Sequence, residues 1–504
     1  MITLQPVDMT RILPEIILSA FAVLIMVLEP FVGAANKKML GWMALLGVLA
    51  AGAATSRLSL YPSGTGPAFG GSIAADDFGS YFIYLFLFVA AMVIMGSMDY
   101  LERDHAQHGE FYALVLMGTV GMCFMAASTD LLMIFLGLEI SSISTYILAG
   151  YRRADRLSNE ASLKYFLLGS FATAFLLYGI AFIYGLTGTT NLLRAGAALS
   201  NPLNWTTYSR AALSAQLGVP LPWPAFAQVA LILMFVGLAF KLSTVPFQIW
   251  TPDVYQGAPA PVTAFLSVGP KAAAFAILLR IFLGSFSSAG AVSFRILGIS
   301  AALTMCVGNL GALWQNNVKR LLAYSSIAHA GYVLVGVTAG GSRGISSVMY
   351  YLMAYALMNV GAFILIAHLS GTGEGLVQIE DYKGLAESRP AVAACLTVFF
   401  LSLAGFPTTA GFLGKFYIFR AAIHSHLIGL TILALLNSVV SVYYYFKIIV
   451  AMYMHEGKTG TAEAVLPWAV RAALAVSILG IFYLGLAPND FMGLSSQAAW
   501  QLLK

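Results

Sequence analysis

A membrane span needs about 20 consecutive apolar residues, and this chain supplies about fourteen such stretches in succession. They fall near 11–32, 39–60, 78–98, 110–127, 130–150, 160–186, 226–250, 260–284, 292–314, 319–339, 344–369, 391–423, 427–454 and 467–487. Of the 504 residues, 60% are hydrophobic and only 9% charged, whereas soluble domains are about 25% charged. Hydrocarbon offers no water to loose backbone groups, so this pattern predicts an all-α polytopic membrane protein. The first stretch holds Pro14, Glu15 and Glu29 and lacks a basic leader and a small-residue exit. It reads as a retained helix, not a cleaved signal. The connections are short, as in a compact bundle with no soluble domain. The longest, about 187–225, contains Trp205 and Trp223 and reads as a surface loop or re-entrant cover.

The remaining composition excludes several function classes. Cys123, Cys306 and Cys395 are far apart in apolar runs, which supports neither a disulfide framework nor a zinc or iron–sulfur site. The seven histidines form no metalloprotease or haem-type pattern, and no basic run suggests nucleic acid. There is no Walker motif and no glycine fingerprint between a strand and a helix. The chain is expected to hold no redox cofactor and to draw its energy from an ion gradient or a partner.

Orientation follows the lysines and arginines of short loops. One set of alternating loops holds Lys37, Lys38, Arg103, Arg152, Arg153, Arg156, Lys319, Arg320, Lys383, Arg389 and Lys458. The other, with both termini, holds Arg11, Arg57, Arg194, Arg210, Arg295, Arg343 and Lys504. The richer side is cytoplasmic by this rule, so both termini are expected on the periplasmic side.

The other basic residues fall within or at the ends of spans: Lys164, Lys241, Lys271, Arg280, Lys415, Arg420, Lys447 and Arg471. Arg280, Arg420 and Arg471 lie where a long side chain is expected to snorkel to the interface. Lys241, Lys271 and Lys415 lie mid-span, where a charge costs about 2.5–3.5 kcal/mol on insertion scales. Lys241 is followed by Pro246 and a proline-rich connection through Pro252, Pro259 and Pro261, and the next span carries Lys271.

An internal repeat relates the two halves. Ser162-Leu-Lys164-Tyr165-Phe166-Leu167 resembles Ser347-Val-Met349-Tyr350-Tyr351-Leu352, 185 residues later, and Lys415 follows Lys241 by 174. A longer insertion at 187–225 accounts for the difference. Both lysines sit beside interrupted helices, Lys241 before Pro246 and Lys415 after Gly405-Phe-Pro407-Thr-Thr-Ala-Gly411. The unit is five helices, helices 4–8 and 9–13, with helices 7 and 12 broken. An odd unit inverts the second copy, and matched broken helices in inverted repeats point to a transporter's ion site. The expected organisation is residues 1–109 for helices 1–3, 110–290 for the first repeat, 291–456 for the second and 457–504 for helix 14.

Glu139, in Leu136-Gly-Leu-Glu139, is mid-span on the fifth helix. A lone carboxylate in hydrocarbon takes up a proton or finds a cation, and Lys241 is the natural partner. Such a pair titrates as a unit, and a lysine parted from its counter-ion in low dielectric passes its proton on. The alternative, a static buried salt bridge, leaves Lys271 unexplained. His329, in Tyr324-Ser-Ser-Ile-Ala-His329, reads either as a hydrogen-bonded packing residue or as a relay step between Lys271 and Lys415. Lys164 pairs with Glu160 at i,i+4, as a helix-end pair or with a functional role. The run Tyr443-Tyr444-Tyr445 with Lys447 serves an exit path or packing.

Read together, these motifs resemble the antiporter-like subunits of respiratory complex I. The likeness rests on Lys241…Pro246-Phe247…Trp250…Pro252-Asp253-Val-Tyr255…Gly257-Ala-Pro259…Pro261-Val-Thr263, on Leu136-Gly-Leu-Glu139, on Lys319-Arg320-Leu-Leu-Ala-Tyr324-Ser-Ser-Ile-Ala-His329, and on Gly405-Phe-Pro407…Gly411-Phe…Gly414-Lys415-Phe. It covers nearly the whole chain. It implies a proton-translocating subunit in which Glu139 and Lys241 are the coupled pair, Lys271 the central relay lysine, His329 the relay histidine and Lys415 the lysine facing the exit. Lys164 matches a sixth-helix lysine of the family. Lysine at 415, where the M-type subunit has glutamate, and a chain that ends after the fourteenth span without the L-type lateral helix, set it apart from those paralogues. Gly269-Pro270 before Lys271 departs from the general family pattern. The resemblance also implies a hetero-oligomer in a bacterial inner membrane, with M-type and small K-type neighbours, and FMN, iron–sulfur clusters, NADH and quinone all in other subunits. The alternative is a subunit of a multi-subunit sodium/proton antiporter.

Overall fold

The computed structural model describes residues 6–33, 36–60, 66–200, 223–286, 291–456 and 466–503. Arg210, Lys458 and Lys504, counted for orientation, lie outside them, as does most of the long connection with Trp205. Twelve helices among the described residues are long and apolar enough to cross a membrane. The expected seventh and twelfth spans are two broken pairs, so all fourteen stretches have a helical counterpart.

The chain opens with α1 (Pro6–Arg11), α2 (Leu13–Leu28) and α3 (Lys38–Leu60). A short antiparallel pair, β1 (Gly66–Ala68) and β2 (Ile73–Ala75), follows where only a loop was expected. Then come α4 (Asp77–Arg103), α5 (Gly109–Ala127), α6 (Leu131–Ala149), α7 (Arg156–Thr187) and the short α8 (Leu192–Ser200), which opens the long connection. Side-chain caps fix several starts: Asp76 accepts from the Gly79 amide, Asp130 from Leu132 and Asp155 from Leu157, each satisfying an amide that a helix N-terminus leaves unpaired. The seventh span is α9 (Trp223–Leu242) and α10 (Trp250–Gly257), and α11 (Ala260–Leu278) runs on into a π-helical turn, Leu279–Ser285. The second half holds α12 (Ala291–Leu313), α13 (Val318–Ala339), α14 (Gly341–Leu369), α15 (Leu385–Ser388), the broken pair α16 (Pro390–Ala404) and α17 (Ala410–His424), α18 (Ile428–Met454) and α19 (Trp468–Leu486). A further helix, α20 (Pro488–Leu503), packs on α4 and α14. It was not expected, because Asn489, Asp490, Ser495, Ser496, Gln497 and Gln501 dilute its apolar stripe.

Helix α11 is the axis of the bundle. It is buried from Ala260 to Leu283 and packs against α4, α5, α6, α9 and α14. That enclosure explains how the helix continues through Pro270, since neighbouring helices compensate a proline in a membrane helix. Glycines set the closest approaches. A Cβ on Gly121 of α5 would lie 2.5 Å from the Ser141 amide nitrogen of α6, so these two backbones touch.

Two ion pairs pin α11 at its ends. Arg280, expected to snorkel, is instead buried. Its guanidinium grips Asp76 with both arms, at 2.8 and 2.7 Å, and Nε donates to the Ala126 carbonyl at 2.6 Å. An arginine with a bidentate carboxylate so near has no need to reach for the interface. Lys319, counted as a loop residue, is also buried. Its Nζ meets Glu374 at 2.5 Å and donates to the Ala258 carbonyl at 2.6 Å. Glu374 in turn accepts from the Ala260 amide at 2.6 Å and the Tyr100 hydroxyl at 2.7 Å. The start of α11 is thereby tied to α4 and α13. Burial pushes the Glu374 carboxyl up, but the Lys319 charge and the hydrogen bonds from Lys319, Tyr100 and the Ala260 amide outweigh it and hold it below the usual carboxylate range.

Candidate functional site

Both broken spans place a lysine at the C-terminal end of a half-helix, where carbonyls lacking intrahelical partners favour a cation. Lys241 is in the last turn of α9. Lys415, one turn into α17, donates to the Leu403 and Ala404 carbonyls that end α16, at 3.1 and 2.9 Å, and to Ser438 Oγ at 3.0 Å. Gly405 makes this possible. It ends α16 with φ of +92°, and a Cβ there would stand 3.3 Å from Lys415 Nζ.

Lys241 sits in an aromatic box. Its Nζ lies 4.9 Å from the centre of the Tyr146 ring and 5.0 Å from that of Tyr165, and 3.5 Å from the Tyr146 hydroxyl. Tyr165 stacks on Trp250, which stacks on Phe240, and the indole N–H donates to the Phe240 carbonyl at 2.9 Å. The first turn of α10 thus closes over the last turn of α9. Ring faces attract an ammonium without neutralising it.

Glu139 does not touch Lys241; no ion pair joins them. Glu139 lies on the face of α6 that carries Tyr146 two turns later, and its Oε1 has no hydrogen-bond partner among the described residues. Tyr146 is therefore the group that stands between the carboxylate's helix and the lysine. Sequence reasoning passed over it, although its i+7 spacing from Glu139 was the available signal.

Lys271 Nζ donates to Ser326 Oγ at 2.6 Å and lies 5.4 Å from the centre of the Tyr255 ring. The Tyr255 hydroxyl is 3.5 Å from the same Ser326 oxygen. His329 is held at both nitrogens, Nδ1 by the Tyr351 hydroxyl at 2.5 Å and Nε2 by the Tyr445 hydroxyl at 3.1 Å. Tyr445 also bonds Ser325. Lys415 lies 5.2 Å from the centre of the Tyr332 ring, one turn after His329 on the same helix. One helix, α13, thus contributes Lys319, Ser325, Ser326, His329 and Tyr332, a polar seam through the second half.

The four central groups share one property. Lys241, Lys271, His329 and Lys415 are 3%, 4%, 2% and 4% exposed, and none has an acidic partner in ion-pair contact among the described residues. Lys164 differs. It is 40% exposed at the side chain and pairs with Glu160 at 2.6 Å and Asp253 at 2.7 Å, and Arg320 holds the other oxygen of Asp253 at 2.7 Å. The structure places it in a surface network that staples α7 and α13 to α10. The tyrosine run divides: Tyr445 belongs to the His329 site, Tyr444 donates to Asn309 Oδ1 at 3.0 Å, Tyr443 is exposed, and Lys447 bonds Asn316 in a loop.

Comparison with known proteins agrees with this architecture. Residues 128–441 match the family described as NADH:quinone oxidoreductase/Mrp antiporter, TM. The chain is 48% identical over 502 residues to NADH-quinone oxidoreductase subunit N 1 of Solibacter usitatus, covering 99% of this chain and 98% of that one. A chain of respiratory complex I from Thermus thermophilus with bound aureothin superposes with TM-score 0.78 at 34% identity, over 96% of this chain and 99% of that chain. A chain of the Mrp complex from Dietzia sp. DQ12-45-1b gives TM-score 0.82 at 21% identity, over 98% and 97%; this is a likeness of fold alone. The chain belongs to the membrane-subunit family shared by NADH:quinone oxidoreductase and Mrp antiporters, and within it to the N subunits of NADH-quinone oxidoreductase. It is an antiporter-like subunit of the membrane arm and works as part of a hetero-oligomer.

Proposed function

We propose that this subunit carries protons along Lys241, Lys271, His329 and Lys415, with Glu139 as the acid that sets the charge at Lys241. The observation that carries the reading is the burial of all four groups among hydroxyls, rings and carbonyls with no counter-ion in contact. Such charges are expensive in a membrane and mark ion pathways. Lysine and histidine can release the proton that makes them costly, whereas arginine cannot. Each protonated group repels the next through a low-dielectric interior, so a charge arriving at one site drives its neighbour's proton onward. A sodium ion would be repelled by the same cations, which favours protons. Glu139 makes no ion pair with Lys241 in this structure and acts on it across the space between them, so their direct contact belongs to another stage of the cycle.

On this reading, NADH oxidation and quinone reduction take place in other subunits that hold FMN and iron–sulfur clusters. M-type and K-type membrane subunits flank this one in a bacterial inner membrane, with both termini periplasmic. Lys241→Ala and Lys271→Ala test the relay in inverted membrane vesicles. NADH-driven proton pumping is expected to fall while NADH oxidation by an artificial electron acceptor, which needs only an assembled complex, persists. Wild-type pumping in both variants removes the relay.

A further inference from the structure

The proton line has a gap between Lys271 and His329. Lys271, Ser326 and Tyr255 form one hydrogen-bonded group; His329, Tyr351, Tyr445 and Ser325 form another. No side-chain hydrogen bond links them among the described residues. Helix α14 lines the gap with two side chains that the relay has not used. The Asn359 side chain is fully buried, and neither its Nδ2 nor its Oδ1 reaches a protein partner. The Tyr355 hydroxyl, one turn earlier, is likewise unpartnered.

Their position follows from helix geometry. Residues four apart share a face. The Tyr355 ring lies 5.1 Å from the His329 ring, and the Phe363 ring 6.2 Å from the Tyr255 ring. Asn359 is midway between Tyr355 and Phe363, about 6 Å along the axis from each. It therefore faces the space between the His329 group and the Lys271 group. Ser326, which binds Lys271, also lies beside the Tyr355 hydroxyl. The Thr251 hydroxyl, one turn before Tyr255 on α10, is a third buried oxygen without a partner. A buried amide with two unused donors and two unused acceptor sites is a site for ordered water.

We infer that Asn359 and Tyr355 hold the water that joins Lys271 to His329, making them positioning residues of the proton path. This rests on the relay reading above. A proton leaves Lys271 Nζ for a water oxygen held by Asn359, and that water releases one of its own protons towards Tyr355. The transfer ends on His329 through a hydroxyl already bonded to the ring, which takes one proton as it gives up another. One N–H bond breaks at Lys271 and one forms at His329. The amide and the hydroxyls end as they began.

The test uses the whole complex in inverted vesicles, with Asn359→Leu, Asn359→Ser, Tyr355→Phe and Lys271→Ala compared at equal artificial-acceptor activity. Leucine fills the amide's volume and holds no water; serine leaves room and one hydroxyl. Asn359→Leu is expected to slow pumping about tenfold, in line with the loss of a positioned proton path, and Asn359→Ser to pump faster than the leucine variant. In Tyr355→Phe the slowing by D2O is expected to exceed that of wild type, because the proton step becomes limiting; a packing defect leaves that ratio unchanged. Wild-type pumping in Asn359→Leu, or a serine variant no better than leucine, overturns the inference. If the leucine variant does not assemble, wild-type pumping and an unchanged D2O ratio in Tyr355→Phe overturn it equally. Normal pumping in Lys271→Ala removes the relay itself. Impaired Lys271→Ala beside normal Asn359→Leu removes only the water-holding role.

Discussion

Glu374→Gln is the most informative single change outside the proton line. It retains acceptor capacity for the Tyr100 hydroxyl and the Ala260 amide but removes the negative charge 2.5 Å from Lys319 Nζ. The Lys319 side chain is 1% exposed, and Glu374 is its only ion-pair partner among the described residues. Neutralising one partner of a buried pair costs about 3–5 kcal/mol. The reciprocal change is milder. In Lys319→Met, Glu374 keeps both hydrogen bonds and Arg152, whose Nη1 is 3.7 Å away. Its charge stays partly matched, and the expected cost is about 2 kcal/mol. The double variant removes both charges and should be more stable than Glu374→Gln alone. Membrane complexes unfold irreversibly, so the useful measure is the half-life of the assembled complex at fixed temperature, read by native gel and pumping. A 2 kcal/mol difference carried by the unfolding barrier separates half-lives by about thirtyfold. Lys319→Met decaying as fast as Glu374→Gln refutes the argument that the buried lysine has no second carboxylate in ion-pair contact.

Other predictions follow from single contacts. Glu374 has its folded-state value held below the ordinary one, so its stabilising effect is complete above about pH 4.3 and is lost as pH falls through the lower folded value. Half-life measured from pH 6 downward should show an acid step that Glu374→Gln lacks. Gly121→Ala pushes a methyl to within 2.5 Å of the Ser141 amide and should cost about 1–3 kcal/mol through overpacking, lowering the yield of assembled complex; Gly185→Ala, with nothing within 4 Å, should not. Tyr146→Phe keeps the ring beneath Lys241 and loses only a 3.5 Å contact, whereas Tyr146→Ala loses a cation–π contact of about 1–2 kcal/mol. Pumping should fall further in the alanine variant. Arg280→Leu strands the Asp76 carboxylate and should cost about 3–5 kcal/mol, seen as a shortened half-life.

The sequence disclosed what depends on chain-local chemistry. Apolar length gave the spans, Pro246 and Pro407 gave the two breaks, and a lysine within hydrocarbon announced itself as costly. Pairings across long sequence distance were not legible. Lys319 and Arg320 are neighbours, yet about 100° of helical turn sends one inward to Glu374 and the other outward to Asp253. Nothing in that dipeptide says which goes where, and Glu374 sits in a short glycine-rich loop 55 residues from Lys319. Arg280 was misjudged for the same reason: Asp76 lies 204 residues earlier. The tyrosine hydroxyls that link the ionisable groups were invisible because tyrosine is common in membrane helices and its O–H direction is set by tertiary packing. Charge complementarity placed Glu139 and Lys241 in contact, whereas in the structure Lys241 faces the rings of Tyr146 and Tyr165 and makes no ion pair with Glu139.

Helix α13 carries its polar groups on one stiff rod, and that has a mechanical consequence. A rotation of roughly 20° about its own axis sweeps an atom 5–6 Å from that axis through about 2 Å, enough to take a 2.6 Å hydrogen bond past its useful range. Such a turn would part Ser326 from Lys271, His329 from its tyrosines and Tyr332 from Lys415 in one movement. Turned in that way, the helix would act as a camshaft, coupling several contacts of the second half to a single rotation.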